Sequence, residues 1–96
     1  MKSTYEIIWT ENAVKELENT IQYLETNWTK KEISNLFLKL EEILALISTQ
    51  PSIYLLVSRS KNIHNVPILK YNTLYYKIEN KKVFILREFA FKKLHN

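Results

Sequence analysis

The residues of this chain that can do chemistry are basic and aromatic, and they cluster in its last third: Arg59, Lys61, His64, Lys70, Tyr71, Tyr75, Tyr76, Lys77, Arg87, Lys92, Lys93 and His95. Lysine and arginine neutralise phosphates, and tyrosine rings give faces on which bases stack. The same residue types suffice for cleaving RNA without a metal. A base takes the ribose 2′-OH proton, cations steady the charged phosphorane, and an acid protonates the leaving oxygen. In that scheme His64 or a lysine is the base and Arg87 the electrostatic stabiliser. Arg87 stands out because it interrupts an apolar run, Ile85-Leu86-Arg87-Glu88-Phe89, and so points away from the core. Each of these residues also has a plainer reading. Lysines belong to solvated surfaces, His64 to the surface, and Arg87 to an ion pair with Glu88 or Glu79. Tyr75 and Tyr76 point to opposite faces of a strand, so at least one belongs to the core.

Other chemistries are excluded by what the chain lacks. It has no cysteine, so it has no disulfide, thiolate nucleophile or thiolate metal site. It has no glycine, which rules out phosphate-binding loops of the Walker or dinucleotide type. It also has no aspartate, and its two histidines, His64 and His95, are isolated from any ligand cluster. A serine triad and paired glycosidase carboxylates therefore have no candidates, and no cofactor is expected. The net charge of +4 is unevenly spread: residues 58–96 carry nine Lys and Arg against two Glu, whereas residues 1–57 carry five Lys against eight Glu. A basic half on a small domain suits a polyanion or an acidic protein surface.

The elements that must position these residues read clearly. Ninety-six residues make one domain, 1–96, with a modest core. Tyr5–Trp9 is a strand with Tyr5, Ile7 and Trp9 on one face. Thr10 caps a helix whose stripe is Ala13, Leu17, Ile21, Leu24 and Trp28. Thr29-Lys30-Lys31-Glu32 is a capping box that starts a second helix, with a stripe of Ile33, Leu36, Phe37, Leu40, Ile43, Leu44 and Ile47 that ends before Pro51. The short link between them demands an antiparallel helical hairpin. Ser52–Lys61 fits either a short strand or a packed loop. Ile63–Lys70, Thr73–Glu79 and Lys82–Phe91 are strands, with a turn at Tyr71-Asn72 and a hairpin turn at Asn80. Pro67 argues for an edge position or a late start in its strand. Lys82–Phe91, apolar on both faces through Leu86, reads as central. Without glycine, positive-φ turns fall to asparagines, with Asn27, Asn62, Asn65, Asn72 and Asn80 as candidates. The order β-α-α-β-β-β gives a two-layer α+β fold, a helical hairpin on a mainly antiparallel sheet. No apolar run is long enough for a membrane span, and the start lacks the apolar core of a signal peptide, so the expected location is cytoplasmic, with no membrane partner.

Two stretches resemble a known family. The opening Ile7-Ile8-Trp9-Thr10-Glu11-Asn12-Ala13 through Leu17, and the strand Tyr71–Ile78 (YNTLYYKI), are similar to motifs of the RelE/ParE toxin superfamily, and the element order is similar over almost the whole chain. The resemblance implies a growth-inhibiting toxin of a type II toxin–antitoxin module, the plasmid-stabilisation type of system, paired with a cognate antitoxin. It implies either ribosome-dependent, metal-independent mRNA cleavage or non-enzymatic poisoning of DNA gyrase; an inactive relative that only binds its antitoxin is the third reading. For the ribonuclease branch, Lys61, Lys70 and Arg87 fall where basic catalytic side chains are expected, and His64 lies near a position that is often basic. Arg59, Tyr71, Tyr75, Lys77, Lys92, Lys93 and His95 would contact the target. The chain departs from that branch at its end, where Phe91 cannot transfer a proton and His95 alone could replace the missing acid.

Overall fold

The computed structural model describes residues 4–69 and 72–90, with the backbone alone for 88–90. The chain order is β1 (Glu6–Trp9), α1 (Glu11–Asn27), α2 (Lys30–Thr49), β2 (Leu55–Ser58), β3 (Ile63–Leu69), β4 (Asn72–Glu79) and β5 (Lys82–Ala90). The undecided segment after Pro51 therefore contributes a strand. The sheet has five strands in the order β1-β5-β4-β3-β2. β1 runs parallel to β5, and the other three pairs are antiparallel.

Both helices begin where threonine can cap them. The Thr10 hydroxyl accepts the Ala13 N–H at 3.2 Å. At Thr29 the capping box is closed: the hydroxyl accepts the Glu32 N–H at 3.2 Å, and Glu32 Oε1 accepts the Thr29 N–H at 2.9 Å. These contacts satisfy amides that have no partner within a first helical turn. The helices lie on one face of the sheet, α1 over β5 and α2 over β3. Between the layers, Ala13, Leu24, Leu36, Leu40, Ile43 and Ile47 pack against Val66, Ile68, Leu74, Tyr76, Val83 and Ile85, each at most 4% exposed. Removing a side chain such as Leu36 from water contributes roughly 1.5–3 kcal/mol. Phe37, expected in the second stripe, is instead 38% exposed. No helix among the described residues is long and apolar enough to cross a membrane.

Turns without glycine fall to Asn62 and Asn80, at φ 54° and 55°. Asn27, Asn65 and Asn72 lie inside helix or strand instead. Asn62 also ties its turn to β4: its carbonyl accepts the Ile78 N–H at 3.2 Å, and its Nδ2 donates to the Ile78 carbonyl at 3.2 Å. Pro67 lies in β3, between β2 and β4, yet β2 pairs no further along β3 than Asn65. The strand is thus a local edge at Pro67, where a missing amide donor costs no ladder bond. β2 itself closes the sheet on one side and leaves Ile53, Leu55, Leu56 and Val57 exposed.

Candidate functional site

The helices cover one sheet face, and strand alternation assigns the opposite face. Along β3 the buried residues His64, Val66 and Ile68 alternate with Ile63, Asn65 and Pro67. Along β4 the buried residues Asn72, Leu74 and Tyr76 alternate with Thr73, Tyr75 and Lys77. Register then sets Tyr75 between Asn65 and Arg87, and Lys77 between Ile63 and Phe84. Directly paired residues share a face, so Tyr75, Lys77 and Phe84 form an aromatic and basic patch across β4 and β5, with Arg87 paired to Tyr75 at its border. Such a surface can stack a ring and neutralise phosphate oxygens.

Arg87 owes its place to a β-bulge. Tyr76 pairs with Ile85 but Tyr75 pairs with Arg87, so Leu86 is the extra residue. The guanidinium reaches α1, where Nε and Nη2 both donate to Glu16 Oε2, at 3.0 and 2.7 Å. That hydrogen bond first, and the carboxylate's charge second, move the Arg87 pKa above the ordinary arginine value. Glu79, one of the expected partners of Arg87, instead pairs with Lys77 at 3.5 Å. Sequence reasoning missed Glu16, which stands 71 positions away with no local signal of the contact.

His64 does not lie on this face, which corrects its expected place on the surface. It is 4% exposed, and its ring stacks on Tyr76 with centroids 5.3 Å apart and planes 12° from parallel. Nδ1 donates to the Tyr54 carbonyl at 3.0 Å, and Nε2 lies 3.2 Å from Asn62 Oδ1. Stacked on Tyr76 and bonded through Nδ1 to Tyr54, the ring ties the β2 approach to β3 rather than facing a substrate. Strand period held the clue, since His64 shares its parity with Val66 and Ile68. Tyr76 is equally internal. Its hydroxyl donates to the Pro51 carbonyl at 2.6 Å, and burial pushes its phenol up to about 12.

Arg59 and Lys61 are exposed in the β2–β3 turn, beside the end of the patch set by the Ile63–Lys77 pair. The structure therefore brings together Tyr75, Lys77 and Arg87, sets Arg59 and Lys61 at their border, and puts His64 in the interior. Lys70, Tyr71, Lys92, Lys93 and His95 lie outside the described residues, as does Phe91. Among the described residues no group of His and carboxylate side chains is arranged to hold a metal.

No family model matches the sequence, and no curated protein matches it. Solved structures do. A chain of the chromosomal ParDE toxin–antitoxin system from P. aeruginosa superposes with a TM-score of 0.71 at 11% identity, over 92% of this chain and 97% of that one. The fold is that of the RelE/ParE-like toxins. A YoeB/ParE toxin from Agrobacterium tumefaciens matches at TM-score 0.63 and 7% identity, over 91% and 99% of the two chains. A copper-bound mutant toxin from Helicobacter pylori matches at 0.63 and 12%, over 95% and 99%. Identities this low establish the RelE/ParE-like architecture and carry no residue roles with them. The expected two-layer α+β fold is borne out, with β2 added to the expected element order and the parallel β1–β5 pairing completing the sheet.

Proposed function

We propose that the protein is the toxin of a type II toxin–antitoxin system and that it grips its target with the face bearing Tyr75, Lys77 and Arg87. The observation that carries this reading is the coincidence of a RelE/ParE-like fold with Tyr75 and Lys77 on the uncovered sheet face and the half-exposed Arg87 guanidinium at their border, where it reaches α1. The helical hairpin exposes Val14, Phe37 and Leu38, apolar surface suited to an antitoxin. The favoured action is metal-independent cleavage of ribosome-bound mRNA. The ribose 2′-oxygen loses its proton and attacks the adjacent phosphorus, the 5′-oxygen leaves and takes a proton, and a 2′,3′-cyclic phosphate remains. Arg87 stabilises the negative charge on the phosphorane. Lys61 is the proton-moving candidate among the described residues, and Lys70 and His95 are the others.

The second reading is inhibition of DNA gyrase without chemistry. The burial of His64 favours it, because that burial removes the residue best suited to act as base near neutral pH. Induced expression without an antitoxin tests both readings at once. Growth arrest is expected in both, and unimpaired growth refutes both. Primer extension on ribosome-bound messages shows codon-phased cuts in the first case, and supercoiling assays show trapped gyrase in the second. Arg87→Ala is expected to abolish growth arrest with an unchanged circular dichroism spectrum; a folded, toxic variant refutes the site.

A further inference from the structure

Arg87 is held from two directions, and both lead to α1. An arginine on an exposed strand has many rotamers to lose before it can act at a fixed point. Here the backbone beneath it is pinned first. The Thr10 amide donates to the Ile85 carbonyl at 3.1 Å, and the Thr10 hydroxyl lies 2.7 Å from the same oxygen and 3.4 Å from the Leu86 carbonyl. Those carbonyls belong to the two residues just before Arg87, at the bulge where Leu86 is the extra residue. Bulges of this kind re-aim the side chain that comes after them. The side chain is pinned second, at the single oxygen Glu16 Oε2, which takes donors from two nitrogens of the planar guanidinium and so fixes its plane. The Arg87 side chain is still 52% exposed, whereas that of Glu16 is 21% exposed. The carboxylate thus sits back against the fold and the cation faces solvent.

We propose that Glu16 is a positioning residue for Arg87, and that the first two turns of α1, from the Thr10 cap to Glu16, form a jig that aims the guanidinium at an oxyanion of the target. This rests on the reading that Arg87 is needed for toxicity. A plain surface ion pair is the competing account, and altering Glu16 separates the two. Displacing a reacting group by about 1 Å costs on the order of 100-fold in activity. A plain surface pair can be lost with no change in activity.

The test uses the full-length chain under tight induction, scored as surviving colonies, with purified variants checked by circular dichroism. Arg87→Ala is the control for the underlying reading. Glu16→Ala should fold and lose on the order of 100-fold in killing. Glu16→Gln, which keeps an oxygen acceptor, should recover part of that loss. The exchange Glu16→Arg with Arg87→Glu should restore the ion pair and the melting temperature but leave the protein harmless, because the cation now sits on α1. In ¹H–¹⁵N spectra the Arg87 Nε–H resonance should shift and exchange faster with solvent in Glu16→Ala, and largely recover in Glu16→Gln. If Arg87→Ala remains toxic, the reading of Arg87 fails and the jig fails with it. If Arg87→Ala is harmless but Glu16→Ala kills as well as the parent, or better, only the jig is refuted. If Glu16→Ala does not fold, the decision passes to Glu16→Leu, which removes the acceptor but keeps the bulk: full killing by that folded variant overturns the proposal, and lost killing supports it.

Discussion

Replacing Tyr76 with phenylalanine should produce a stability difference that changes sign with pH. Tyr76 is 0% exposed, and its hydroxyl donates to the Pro51 carbonyl at 2.6 Å, joining the turn after α2 to the sheet. Removing the hydroxyl forfeits a hydrogen bond and leaves a carbonyl at a buried residue without that donor, at a cost of about 1–2 kcal/mol near neutral pH. Burial holds the folded-state pKa at about 12, against 10.0 for an ordinary tyrosine. The folded state therefore keeps its proton where the unfolded chain has lost it. The stabilisation is complete below pH 10 and is lost as pH rises through the folded value. The linkage relation gives a loss of about 1.4 kcal/mol by pH 11 and about 2.7 kcal/mol once pH exceeds both values. Phenylalanine has no proton to lose, so the parent should be the more stable protein at pH 7, match the variant near pH 11 and fall below it above pH 12. Urea melts followed by tryptophan fluorescence at pH 7, 10, 11 and 12 measure this, and comparing parent with variant cancels the other groups that titrate. If the two stabilities fall in parallel from pH 10 to 12, Tyr76 is not buried as described and the reasoning fails.

Two other consequences concern His64 and the β2 edge. His64→Leu should cost about 2–4 kcal/mol in urea melts, because it strips partners from the Tyr54 carbonyl and from Asn62 in a buried setting; killing per folded molecule should be unchanged, and lost killing in a folded variant would restore His64 to the site. Leu55→Lys together with Val57→Lys should change stability by less than about 0.5 kcal/mol for each substitution, because both positions are exposed, while raising the concentration at which light scattering detects aggregates.

The elements were legible where the signal is local. Thr10 and the Thr29–Glu32 box mark both helix starts within their own first turns, and Asn62 and Asn80 mark the two positive-φ turns of a chain without glycine. The interior place of β5 between β1 and β4 could also be read, but its two apolar faces suggested cover on both sides, whereas the helices lie on one face and leave Phe84 and Leu86 half-buried. What the sequence hid depends on contacts between distant residues. Nothing near Glu6–Trp9 says that it pairs parallel with Lys82–Ile85, and nothing near Arg87 points to Glu16. Proximity along the chain favours Glu79 or Glu88 as the partner of Arg87, whereas the bulge and the helix start jointly turn the guanidinium toward α1. His64 misled for another reason. Its chemistry suggests catalysis, while its parity with Val66 and Ile68 places it in the core, and here parity was the better guide.

The pairing of β1 with β5 also sets a sequence in time. The ribosome makes β1 before every other strand and β5 after all of them, and Thr10 meets Ile85 across 75 positions. A nascent chain still lacking β5 has no strand partner for β1, no carbonyl for Thr10 to brace, and no Arg87 to display. Contacts of such separation form late and slowly. A translation product that stops short of Lys82 is therefore a chain without the strand that joins β1 to β4.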